Sequence, residues 1–129
     1  MKKITKDWLA SAESDLLLIR MILSQENLTH LSAFHAQQSI EKTFKAIVEE
    51  NDLGFIKTHS LETLFNKVKK SFAPEIDTNL LTLLDQLYID ARYPGELGLL
   101  PNGKPSAIEA KEFYALALQL YEAAVSACR

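Results

Sequence analysis

The 129 residues carry 14 Lys plus Arg against 17 Asp plus Glu and are 47% hydrophobic, the profile of one soluble globular domain over 1–129. A chain of this size buries roughly two-thirds of its unfolded surface, and the single Cys128 excludes a disulfide framework. No run approaches the roughly 18 apolar residues of a membrane span, and Met1 to Asp7 runs into charge rather than a signal-peptide core, which points to the cytoplasm.

Pro94, Gly95, Gly98, Pro101, Gly103 and Pro105 crowd one segment and leave Gly54 and Pro74 as the only other breakers. A first helix is predicted from about Thr5 to Ser24, with Trp8, Ala12, Leu16, Ile19 and Leu23 in one stripe. The polar stretch from Gln25 to Thr29 interrupts the pattern before a second helix, from about Leu31 to Asn51, that buries Ala33, Ala36, Ile40, Phe44, Ile47 and Val48. Ser60 caps a short third helix with Leu61, Leu64, Phe65 and Val68 on its apolar side.

The fourth helix runs from about Ile76 to Ala91 and is stopped by Pro94. Its Leu80, Leu81, Leu83, Leu84, Leu87 and Tyr88 spread round more of the circumference than one core stripe needs, so a homodimer is expected. The last helix opens on the Ser106-x-x-Glu109 capping box and aligns Ala110, Phe113, Ala117, Leu120, Ala124 and Cys128. The whole reads as an all-α, up-and-down bundle of four main helices plus a short additional one.

A net charge of −3 excludes holding nucleic acid by bulk attraction, but not a local basic patch. Residues 1–70 hold 10 basic and 9 acidic side chains, and residues 71–129 hold 4 and 8, so the cationic clusters lie in the first part. There is no phosphate-binding glycine loop, Cys-x-x-Cys, His-Glu-x-x-His or Gly-x-Ser-x-Gly. His30, His35, His59 and Cys128 fall on separate segments without ligand spacing, so no metal and no cofactor are expected.

Three segments carry candidate chemistry. On the second helix His35, Gln38, Ser39, Lys42 and Lys45 share one side, either as a solvated face supported by a Glu41–Lys45 pair or as a binding surface. Lys57-Thr58-His59-Ser60-Leu61 opens the third helix, where capping alone or capping plus phosphate binding accounts for the residues. Arg92 can fork two hydrogen bonds to a phosphate and Tyr93 can stack on a base, or the two can simply close the fourth helix. The phosphate or nucleotide candidates are therefore His35, Lys42, Lys45, Lys57, His59, Arg92 and Tyr93.

Trp8 with Asp15-Leu16, the run from Ala33 to Lys42 with Lys45-Ala46, the Lys57 to Leu61 turn and Ala91-Arg92-Tyr93-Pro94 together resemble the HEPN family, the higher eukaryotes and prokaryotes nucleotide-binding domain. The resemblance spans roughly Trp8 to Tyr121 and is strongest to small stand-alone prokaryotic members. It implies a helical bundle that is often a homodimer, frequently encoded beside a minimal nucleotidyltransferase in toxin–antitoxin-like pairs. Other members are metal-independent endoribonucleases with an Arg followed four to six residues later by His. Here no His follows Arg92, and the next His after Arg20 is His30. The expectation is a noncatalytic nucleotide- or RNA-binding interaction module with a nucleotidyltransferase partner. The alternative is an endoribonuclease with a noncontiguous site: His35 or His59 as base, and Arg92, Lys42 or Lys57 stabilising the phosphate.

Overall fold

A computed structural model of the chain describes residues 1–72, 74–92 and 104–129, and the side chains of all of these but 90–92. It contains α1 (Lys3–Ile22), α2 (Thr29–Glu50), α3 (Leu61–Val68), α4 (Thr78–Arg92) and α5 (Ala107–Ala127), and no strand among the described residues. The predicted break at 25–29 is a 3-10 turn, Glu26–Leu28, that feeds directly into α2 and moves its start back to Thr29. No helix is long and apolar enough to cross a membrane among the described residues.

The five helices assemble round α2, which packs against each of the other four. Contacts between α1 and α2 run in opposite directions along the two helices: Thr5 Oγ1 donates to Glu50, Ser39 Oγ donates to the Ala12 carbonyl at 3.0 Å, and Asp15 meets His35. Small residues set their closeness, since Ala12, Ala36 and Ser39 are fully buried where the helices meet. The expected apolar side of α2 is in the core, with Phe44 at its centre, its ring 5.8 Å from Phe65 and 6.3 Å from Phe72.

Two local stop–start signals operate as the sequence implies. Ser60 Oγ accepts from the Thr63 amide at the start of α3, and at α5 both halves of the capping box are present, Ser106 N to Glu109 at 2.9 Å and Glu109 N to Ser106 at 3.0 Å. Among the described side chains of α4, Leu81 and Leu84 alone are fully buried, while Leu83 stays 37% and Ile89 50% exposed.

Removing the central ring in Phe44→Ala leaves a cavity between α2, α3 and the Phe72 turn and is expected to lower stability by about 3–5 kcal/mol. Ser106→Ala removes one cap and should cost about 1 kcal/mol. Urea unfolding of the two variants checks both size and order.

Candidate functional site

The polar side of α2 is not a solvated face. Ser39 lies under α1, and the neighbouring positions meet a carboxylate that α1 buries, Asp15, which is only 8% exposed. Its two oxygens are shared: Oδ1 faces His35 Nδ1 at 2.9 Å and Oδ2 accepts from Lys42 Nζ at 2.8 Å. A carboxylate only accepts, so this pairing assigns the His35 proton to Nδ1 and leaves Nε2 outside the pair.

The same construction recurs one turn along. Glu41, buried on α2, accepts from Lys45 Nζ at 2.8 Å and lies 3.1 Å from His59 Nδ1. Gln37 ties the pair down, donating to the His59 carbonyl at 3.1 Å and to Glu41 at 3.3 Å. Aromatic rings join the two sets: Phe34 lies 5.2 Å from His35 and stacks at 5.8 Å on Tyr88, which in turn is 5.8 Å from His59. Lys45 also sits over Trp8 at 5.5 Å, a cation–π contact.

At the start of α3 the helix amides already hold an anion from within the chain. Asp85 on α4 accepts from Leu61 N at 2.8 Å, from Glu62 N at 3.3 Å and from Ser60 Oγ at 3.3 Å. Burial raises its carboxyl above the usual range; the amide and hydroxyl hydrogen bonds oppose that rise only in part, and nearby Glu62 adds to it. Beside it opens a groove of about 440 Å³ lined by His59, Ser60, Glu62, Thr82, Asp85 and Tyr88, among others.

The structure thus brings His35, Lys42, Lys45 and His59 onto one surface, each already paired with an acid. Lys57 stands exposed on the connection between α2 and α3 and makes no ion pair with a described residue. Arg92 closes α4 but its side chain, like Tyr93 as a whole, lies outside the described residues. Neither Asp15, which carried only the family resemblance, nor Asp85 was read from the sequence as a site residue. The first had a signal, since Asp15 falls three residues after Ala12 and four before Ile19, on the buried stripe, where a carboxylate must find partners. Asp85 had none, because it meets residues 23 to 25 positions away.

Asp85→Ala strips two amides of their acceptor and is expected to destabilise by about 1–2 kcal/mol. Asp85→Asn keeps an acceptor without the buried charge and should stay close to the parent at neutral pH. Because the folded chain holds the Asp85 proton more tightly than the unfolded chain, this group subtracts stability as pH rises through its range. Urea midpoints measured from acid to neutral pH should show that component missing in Asp85→Asn.

Comparison with known proteins agrees with this architecture. No curated protein matches the chain. The crystal structure of an archaeal HEPN homologue superimposes with a TM-score of 0.75 at 25% identity, covering 100% of both chains. The family model of the HEPN domain matches residues 5–127, nearly the full length. The chain is therefore a member of the HEPN domain family, a helical module of the nucleotide- and RNA-related class.

Proposed function

We propose that the protein is a noncatalytic nucleotide- or RNA-binding and interaction module that works as a homodimer beside a minimal nucleotidyltransferase in a toxin–antitoxin-like pair. The observation that carries the binding half is the corner between α2, α3 and α4, where Tyr88 borders a groove and lies between Phe34 and His59. An aromatic ring beside polar donors suits a nucleobase; Lys57, two positions before His59, and Arg92, at the end of α4, are the cations proposed for its phosphate. The partner half rests on the resemblance to small stand-alone family members, and the dimer on the breadth of apolar residues round α4, where one copy leaves Leu83 exposed.

The ribonuclease alternative keeps one observation in its favour. Both His35 and His59 meet carboxylates through Nδ1, which leaves Nε2 as the nitrogen that can act as a base. The lack of any His after Arg92 leaves it second.

Labelled ATP and a short single-stranded RNA test binding, with the protein alone and with a neighbouring nucleotidyltransferase. Binding should weaken as salt rises, and Arg92→Ala should bind less well while melting within a few degrees of the parent. Lys42→Ala is the poorer probe, since it strips the buried Asp15 of a cation and unfolds part of what it tests. Absence of binding in both forms would reduce the protein to a structural partner, and RNA cleavage lost in His35→Ala or His59→Ala would promote the ribonuclease. For the dimer, light scattering should give twice the 14.5 kDa chain mass, reverting to one chain in Leu83→Asp.

A further inference from the structure

The connection between α2 and α3 has a feature that neither the paired histidines nor the capped helix explains. From Phe55 to Ser60 exposure alternates residue by residue: Phe55, Lys57 and His59 face outward while Ile56, Thr58 and Ser60 are half-covered. Period-two alternation is the mark of extended backbone, which sets alternate side chains about 7 Å apart on one edge. That edge presents an aromatic ring, a cation and an imidazole in order.

Phe55 is 87% exposed, the most exposed large hydrophobic side chain among the described residues. It borders an apolar cleft of about 160 Å³ that Trp8, Val48, Ile56 and Leu64 also line, with Lys45 and Glu49 at its rim. A single exposed Phe is ordinary. Its charge setting is not. Residues 53–72 contain Lys57, Lys67, Lys69 and Lys70 against one acid, Glu62, in a chain whose total is −3. All four lysines are exposed, and none makes an ion pair with a described residue.

We propose that this edge, Phe55, Lys57 and His59, continued by Lys67 and Lys70 on and just beyond α3, is a docking strip for single-stranded RNA. The proposal rests on the reading of the domain as a nucleotide- or RNA-binding module. Phe55 stacks under a base at the mouth of the cleft and the lysines follow the phosphates, a combination of ring and cation that suits a single strand better than an apolar protein face. His59 adds a preference for ribose: Glu41 fixes its proton on Nδ1, so Nε2 of this exposed ring is left to accept from a 2′-hydroxyl that DNA lacks. The local excess of positive charge favours a polyanion over a protein surface of mixed charge.

Fluorescence anisotropy with a labelled oligouridylate of about ten nucleotides tests it on the full chain. Phe55→Ala should weaken binding about tenfold or more and Phe55→Trp should retain it. Lys67→Ala/Lys70→Ala should lower the slope of log affinity against log salt by about 1.4, two contacts at roughly 0.7 each. These side chains are exposed, so melting temperatures should not move, and a thermal melt of each variant verifies that. The DNA oligonucleotide of matching sequence should bind more weakly; equal binding overturns the assignment to RNA. RNA binding lost in Arg92→Ala yet untouched by Phe55→Ala overturns the strip while leaving the binding module standing; no RNA binding with ATP still bound overturns the strip alone, and binding of neither overturns both. Loss of nucleotidyltransferase association in Phe55→Ala, with RNA binding intact, would reassign the strip to protein contact.

Discussion

α2 packs against each of the other four helices, yet six of its thirteen buried residues are polar, Thr29, Ser32, Gln37, Ser39, Glu41 and Thr43. A buried polar group without a partner costs about 1–3 kcal/mol; the Thr29 and Thr43 hydroxyls, unpartnered among the described residues, bear that cost, whereas Gln37, Ser39 and Glu41 receive partners at defined places from the elements round α2. The α1 backbone answers Ser39, Asp15 reaches into the same seam to meet His35 and Lys42, and the connection to α3 answers Gln37 and Glu41. Apolar packing alone would let α1 slide by a turn against α2. The hydrogen bonds between them do not, because each shift would strand a charge in the seam.

The same pairings decide what the surface can do. Each of the two carboxylates sits between a lysine and a histidine, so the cations that look available in the sequence are held and largely neutralised by Asp15 and Glu41. The amides of α3, which would hold a phosphate in an isolated helix, hold Asp85 instead. Uncompensated positive charge is left further along, at Lys57 and on the lysines of α3 and its exit. The connection therefore separates two properties, an imidazole held by Glu41 at its His59 end and, before it, the exposed Phe55 ring with the exposed Lys57 two residues on.

Much of the fold was legible because its signals are local. Periodicity placed all five helices, and the caps at Ser60 and Ser106 formed where their spacing implies, since an N-cap and its amide lie three residues apart. The apolar side of α2 was equally plain, since Ala33, Ala36, Ile40, Phe44, Ile47 and Val48 are all buried. The HEPN resemblance, read from four short segments in order, extends in the family match to residues 5–127.

What lay beyond the sequence were the contacts that join distant positions, and those define the site. Periodicity says that Ser39 and Lys42 share a side of α2, but not whether water or another helix lies opposite; the small residues at Ala12 and Ala36 let α1 close over it. Nothing local to Lys57 through Leu61 announces that Asp85 will occupy the helix end, and nothing local to His59 announces Glu41. A sequence determines which groups are polar and which face of a helix they share, because those follow from composition and a fixed rise and turn per residue. Which of those groups are neutralised and which stay free depends on long-range pairing of charges, and only the packed chain decides that.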